Sequence, residues 1–136
     1  MITITLSSGR KVDARVGRHV IHTDQPLAGG GEDTAPAPFD LFLASLGTCA
    51  GLYVQAFCQS RGLPTEGIVL RQGAVRDPAT RRLARVDIEI ELPPDFPGAK
   101  YAGALARAAE QCAVKKAIVD QPDIQAHAHL AGASAV

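Results

Sequence analysis

The sequence predicts a single α+β domain over residues 1–136, with mainly antiparallel strands and one long central helix. Three observations support this class. Short segments in which apolar and polar residues alternate occur near the N-terminus and again in the second half of the chain, as expected of strands with one solvated face. Between them a helical pattern runs from Pro38 to Gly62. A second, alanine-rich helical pattern follows the later strands.

The N-terminal region predicts a three-stranded antiparallel meander, followed by a flexible connection. The strands are expected at Met1–Leu6, Lys11–Val16 and Arg18–Thr23, where the residues alternate. The connection, Gln25–Ala37, contains three consecutive glycines from Gly29 to Gly31. These glycines lack the Gly-Lys-Ser or Gly-Lys-Thr ending of a phosphate loop, so no nucleotide site is expected there.

The long helix is predicted over Pro38–Gly62 because its apolar residues recur at i, i+3, i+4 and i+7. Proline is tolerated in a first turn, and Gly62 followed by Pro64 indicates the end of the helix. Cys49 lies in the middle of the apolar stripe, so its thiol is expected to face the core or an interface. The stripe consists of Phe39, Phe42, Leu43, Leu46, Cys49, Ala50, Tyr53, Val54 and Phe57.

The second half of the chain predicts two strands, a helix, a last strand and a short tail without secondary structure. The first two strands form a hairpin with one buried and one charged face, which is typical of an antiparallel sheet. The expected ranges are Ile68–Arg76, Leu83–Leu92, Lys100–Asp120 for the helix, Ile124–Leu130 for the last strand and Ala131–Val136 for the tail.

Composition and charge exclude several classes of function. Lys plus Arg and Asp plus Glu both number 14, which disfavours nucleic acid and anionic membranes as partners. No signal pattern and no apolar run of about 18 residues are present, so a cytoplasmic protein is expected. His127 and His129 lack a third ligand nearby, and we interpret them as exposed histidines rather than a metal site. Apolar surface left over by the long helix and a small sheet favours a homodimer.

The three cysteines are odd in number and widely spaced, which indicates free or redox-active thiols rather than a disulfide framework. Cys49 and Cys58 are nine residues apart and lie on opposite sides of the helix, so Cys58 is interpreted as a bystander. Cys112 lies on the apolar face of the second helix and could face Cys49. Both cysteines could be core fillers. A nucleophilic role would require a cation or a helix N-terminus near the thiol, and Arg15 and Arg18 are the candidate cations.

Two segments resemble the motifs of the OsmC family, which includes the organic hydroperoxide resistance proteins. They are Pro38–Cys49, PFDLFLASLGTC, and Glu110–Ala117, EQCAVKKA. The resemblance implies an OsmC-like fold and an intertwined homodimer with its active sites at the subunit interface. It also implies that Cys49 attacks a hydroperoxide and that Cys112 then forms a disulfide with it. The family needs no bound cofactor; an external dithiol, for example of the lipoyl type, reduces the disulfide.

The resemblance also assigns an arginine and an acidic residue to the site. The family's peroxidases use an arginine from the N-terminal strands, matched best by Arg15 and next by Arg18, held by an acid that Asp40 would supply. Ala113 and Lys115 replace the proline and serine of the usual second motif, which is similar to the generic OsmC-like proteins. Two hypotheses follow: a thiol peroxidase for organic hydroperoxides, or a non-catalytic protein that binds a small apolar ligand at the dimer interface.

Overall fold

The computed structural model describes residues 1–132 and has an α+β architecture with two antiparallel sheets and a long helix. A three-stranded sheet in the order β1-β2-β3 precedes the long helix, and a two-stranded sheet of β4 and β5 follows it. The strands are β1 Ile2–Leu6, β2 Val12–Val16, β3 His19–Thr23, β4 Val69–Arg76 and β5 Leu83–Glu91, and the helices are α1 Pro38–Ser60, α2 Ala102–Ala109 and α3 Ala113–Val119. Short 3₁₀ turns cover Leu27–Gly29 and Ala99–Tyr101.

The N-terminal sheet is the predicted meander, with β1 antiparallel to β2 and β2 antiparallel to β3. The pleated backbone sends successive side chains to opposite faces, so alternating apolar residues share one face. The apolar residues Ile2, Ile4 and Leu6 are nevertheless 59, 58 and 81% exposed. A single chain therefore leaves this row of side chains uncovered.

The connection before α1 is organised around a buried carboxylate, where the sequence predicts a flexible linker. Asp24 is completely buried. Its carboxylate accepts hydrogen bonds from the Thr34 hydroxyl and from the backbone N–H groups of Gln25, Glu32 and Thr34. These bonds, above all that from the Thr34 hydroxyl, lower the pKa of Asp24 to about 2. Glycine and proline content alone could not reveal this order, because it depends on one side chain upstream of the segment.

The long helix α1 begins at Pro38 as predicted and ends at Ser60, two residues before the expected end. Gly62 adopts a left-handed conformation with φ of 64°, and the N–H of Leu63 bonds back to the Cys58 carbonyl at 2.9 Å, which closes the helix. By length and composition α1 could cross a membrane. Its buried residues Leu46, Ala50, Val54 and Cys58 instead form a stripe at four-residue spacing that belongs to the protein core.

The core lies between α1, α2 and the inner face of the β4–β5 hairpin. Val54 and Cys58 of α1 pack with Phe96 and with Leu105 of α2, and partly buried side chains of the hairpin surround them. In β5, Val86, Ile88 and Ile90 are shielded while the charged residues between them are exposed. The two sides of this strand are therefore those that the sequence predicts.

Two predictions for the C-terminal third are wrong. The helix expected over Lys100–Asp120 is broken between α2 and α3, because Cys112 has an extended backbone with ψ of 124°. The strand expected at Ile124–Leu130 has no regular structure and no partner strand within the part of the chain that the structure describes. Alternation alone cannot make a strand, since the backbone must pair with a neighbour. Of the tail predicted from Ala131, residues 133–136 lie outside the described residues.

Candidate functional site

The break between α2 and α3 places the Cys112 sulfur against α1. Cys112 is the N-cap residue of α3, and its Sγ accepts a hydrogen bond from the Lys115 N–H at 3.4 Å. The same thiol donates to the carbonyl oxygen of Leu46 in α1, with 3.7 Å between the heavy atoms. Cys112 is 1% exposed. It is therefore a buried side chain that attaches the start of α3 to the long helix.

Cys49 lies beside Cys112 and is partly exposed. The backbone N–H of Val114, then the Cys112 thiol and the N–H of Ala113, donate to its sulfur and lower its pKa. Donors favour the thiolate because they compensate its charge. Desolvation acts in the opposite direction for Cys49 but does not prevail. Cys49 is thus the cysteine that these surroundings make nucleophilic.

The pKa of Cys112 is raised, first by burial and then by its contact with Cys49. A thiol carries one proton, and the Cys112 proton can point to the Leu46 carbonyl or to the Cys49 sulfur. When Cys49 ionises, its charged sulfur becomes the stronger acceptor. The pair is therefore asymmetric: Cys49 loses its proton first and Cys112 keeps its own.

Cys58 is separate from this pair, in agreement with the predicted placement on another side of α1. It is 0% exposed and packs with Val54, Phe96 and Leu105. Burial in these apolar surroundings raises its pKa. A buried cysteine with a raised pKa is unreactive, so Cys58 fills space in the core.

Arg15 and Arg18 lie on the exposed N-terminal sheet. Arg15 is in β2, opposite Thr3 and Val20, and Arg18 lies in the turn that leads to β3. Within residues 1–132 no hydrogen bond or ion pair joins either arginine to a cysteine or to Asp40. One chain alone therefore does not bring these predicted cations to the thiols.

Asp40 caps the long helix. Its carboxylate accepts a hydrogen bond from the backbone N–H of Ala37 at 3.2 Å, which satisfies a donor at the start of α1. The arginine at this helix start is Arg76 of β4, whose guanidinium carbon lies 4.4 Å from the Phe39 ring centroid. Sequence reasoning did not select Arg76, because it follows α1 by many residues and carries no local motif.

Sequence reasoning also missed the donors that act on Cys49. It named a cation or a helix N-terminus as a requirement, but the N–H groups of Ala113 and Val114 became available only because the second helix is interrupted at Cys112. No residue type in this segment indicates the interruption, and only the start of a new helix leaves these first N–H groups without intrahelical partners.

An apolar cavity of about 400 Å³ lies next to Cys112. Its walls come from α1, α2, α3 and the inner face of β5, and Cys112 borders it whereas Cys49 does not. No group of three or more His, Cys, Asp or Glu side chains in residues 1–132 is arranged to hold a metal ion.

Comparison with known proteins extends these observations. No curated protein matches the chain in sequence. Several solved structures have the same fold. One, from Psychrobacter arcticus 273-4, is described as an osmotic stress induced and detoxification response protein; it shares 23% identity over 85% of both chains, with a TM-score of 0.71. An OsmC-like protein from Mycoplasma pneumoniae shares 12% identity over 89% of this chain and 87% of its own, with a TM-score of 0.70. The organic hydroperoxide resistance protein OhrB of Bacillus subtilis shares 20% identity over 89% and 90%, with a TM-score of 0.54.

The match to a family model covers both cysteines of the pair. The model, described as OsmC-like protein, matches residues 30–127. This range is well over half of the chain and includes α1, the hairpin, α2 and α3. The chain therefore belongs to the OsmC-like protein family.

Proposed function

We propose that this protein is a cytoplasmic thiol peroxidase that reduces organic hydroperoxides. The observation that supports this most is the asymmetric pair of thiols: Cys49 has a lowered pKa, is partly exposed and contacts the buried Cys112. A peroxidase of this kind needs an ionised thiol that the hydroperoxide can reach and a second thiol close enough to form a disulfide.

The proposed reaction has two steps on the protein. The Cys49 thiolate attacks the terminal oxygen of ROOH, the O–O bond breaks, and the alkoxide takes up a proton and leaves as the alcohol. Cys49 is then a sulfenic acid. The Cys112 sulfur attacks the Cys49 sulfur, loses its proton and expels the hydroxyl group as water, so that a disulfide remains. A dithiol returns both cysteines to thiols and is itself oxidised to a disulfide.

Membership of the OsmC-like family and the fold shared with OhrB of Bacillus subtilis, which is named for organic hydroperoxide resistance, support this function. A homodimer is part of the proposal. The uncovered apolar row of β1, Ile2, Ile4 and Leu6, supports a second subunit, and a stable interface buries about 1,600 Å² in total. In such a dimer we propose that Arg15 or Arg18 lies at the hydroperoxide site and that the Asp40 carboxylate holds this arginine in place.

A second candidate function is the binding of a small apolar ligand without catalysis. The observation in its favour is the apolar cavity next to Cys112. Cavities of this volume hold small molecules in other proteins. In that case both cysteines would be structural.

Steady-state consumption of cumene hydroperoxide with an excess of dithiothreitol separates the two candidates. Wild-type protein should turn over many times, and Cys49→Ser should be inactive because a serine hydroxyl stays protonated at neutral pH. Cys58→Ala is the matched control, since it removes a thiol outside the pair, and it should keep the wild-type rate. A wild-type rate equal to that of Cys49→Ser would reject the peroxidase and favour the binding protein.

A further inference from the structure

The two sulfurs of the cysteine pair approach each other from different elements of the fold. Cys49 belongs to the long helix α1, and Cys112 is the N-cap residue of α3. Two contacts hold the Cys112 sulfur in place: it lies 3.7 Å from the Leu46 carbonyl oxygen and accepts the Lys115 N–H at 3.4 Å. The Cys112 thiol also donates to the Cys49 sulfur. A metal cation can therefore take the position of the proton that lies between the two sulfurs.

The number of ligand atoms at this position restricts the kind of ion. Within residues 1–132, no group of three or more His, Cys, Asp or Glu side chains is arranged around a common point. Cys58, the remaining thiol, packs in the core against Val54 and Leu105. A structural zinc ion takes four ligands, and calcium and magnesium take oxygen ligands. The pair therefore does not fit these divalent ions.

Monovalent copper fits two thiols. Cu(I) is a soft ion that favours cysteine sulfur, and its filled d shell allows linear coordination by two ligands. Cys49 is partly exposed, so an incoming ion can reach the pair from solvent. Cys112 is 1% exposed, so the protein covers the ion on the side of the second sulfur and keeps water from this side.

The surroundings also suit the charge of such a complex. Two thiolates and one Cu(I) ion together carry one net negative charge. The backbone N–H groups of Val114 and Ala113 donate to the Cys49 sulfur, and donors of this kind stabilise a negatively charged acceptor. The start of α3 therefore offers hydrogen bonds to the copper–thiolate group as well as to the free thiolate.

We propose that the reduced Cys49–Cys112 pair binds one Cu(I) ion in a linear, two-coordinate site. The step is an exchange of ligands without transfer of electrons. Copper leaves the ligands that delivered it, bonds form from copper to both sulfurs, the thiol protons pass to solvent, and copper stays monovalent. The site goes beyond the proposed peroxidase, because it requires both thiols in the reduced state and no hydroperoxide. A bound ion occupies the sulfur that attacks the hydroperoxide, so Cu(I) should also inhibit the peroxidase.

Competition with a chelator tests the site. Reduced protein is mixed without oxygen with Cu(I) and bathocuproine disulfonate, and the loss of colour of the copper–chelator complex gives the copper taken by the protein. Wild type should take one ion per chain, and Cys58→Ala, which removes the thiol outside the pair, should take the same amount. Cys49→Ala and Cys112→Ala should take none. Equal uptake by wild type and Cys112→Ala, or one ion shared by two chains, would overturn the inference.

Alkylation of the wild-type protein tests the site without any substitution. Iodoacetamide should label Cys49 in the copper-free protein, and one equivalent of Cu(I) should abolish this labelling until excess bathocuproine disulfonate removes the ion. Zn(II) at the same concentration is the matched control and should leave the labelling unchanged. Equal labelling with and without Cu(I) would reject the site, and equal protection by Zn(II) would reject the two-coordinate assignment.

X-ray absorption at the copper edge identifies the ligands. The spectrum of the loaded protein should contain two sulfur neighbours, and a third neighbour of any kind would overturn the linear geometry. The outcome is separable from that of the proposed function. Wild-type protein that binds copper but does not consume cumene hydroperoxide would reject the peroxidase alone. Protein that consumes the hydroperoxide but leaves copper on the chelator would reject the copper site alone.

Discussion

The contact between the two thiols predicts that Cys112, together with the Val114 N–H, lowers the pKa of Cys49. In Cys112→Ala the S–H donor to the Cys49 thiolate is lost, so the pKa of Cys49 should rise. A hydrogen bond to a charged group contributes about 1.5–3 kcal/mol, and one pKa unit corresponds to about 1.4 kcal/mol. Since sulfur is a weak donor, we take the lower end of that range and expect a rise of about one unit.

The assay is the rate at which iodoacetamide alkylates Cys49, measured by mass spectrometry from pH 5 to 10. At a pH below the pKa of Cys49, a rise of one unit should lower the thiolate fraction about tenfold and slow the reaction accordingly, because only the thiolate reacts. Cys112→Ser is the matched variant, since a hydroxyl keeps the donor and also keeps a cap for the Lys115 N–H. It should behave like wild type. Identical pH profiles for wild type and Cys112→Ala would refute the reasoning.

Three further predictions follow from individual side chains. Cys112→Ala should still consume one equivalent of hydroperoxide but stop at the Cys49 sulfenic acid, which dimedone would label. Absence of a dimedone label on Cys49 would contradict the assignment of Cys49 as the cysteine that attacks first. Cys58→Ser should lower the free energy of unfolding by about 1–3 kcal/mol, measured with urea, because it buries a hydroxyl in an apolar cluster, while the alkylation rate of Cys49 stays the same. The pKa of Asp24 is about 2 in the folded protein and ordinarily 3.8, so its contribution to stability is complete above about pH 4 and is lost as the pH falls towards 2. Asp24→Asn should flatten the pH dependence of the free energy of unfolding between about pH 4 and 2. An unchanged slope would argue against a lowered pKa of the Asp24 carboxylate in the folded protein.

Local patterns were sufficient to predict most of the elements. The period of apolar residues located α1, and alternation located the three N-terminal strands and the β4–β5 hairpin to within one or two residues. These patterns are local because side chains alternate across a strand and recur on one face of a helix, whether or not a single chain covers that face. Ile124–Leu130 has the same alternation without a partner strand among residues 1–132, which shows that pairing depends on neighbours that a local pattern does not contain.

The sequence was sufficient to identify the two cysteines of the candidate site, but not the groups that lower the pKa of Cys49. The motifs around Cys49 and Cys112 identified both thiols, and in the structure the two thiols are in contact. The donors that lower the pKa of Cys49 are backbone groups, which carry no residue signature. They depend on the extended conformation of Cys112 between α2 and α3, and alanine-rich sequence on both sides of it gave no sign of an interruption. The roles of Arg15, Arg18 and Asp40 remain predictions for the dimer.

The most direct test of the central claim is a map of the thiols after one equivalent of cumene hydroperoxide per chain. Wild-type protein is treated without reductant, capped with N-ethylmaleimide, digested and analysed by mass spectrometry. The account predicts a peptide that links Cys49 to Cys112, and a maleimide on Cys58 once the protein is unfolded for capping. Three capped thiols, or a disulfide that includes Cys58, would contradict it.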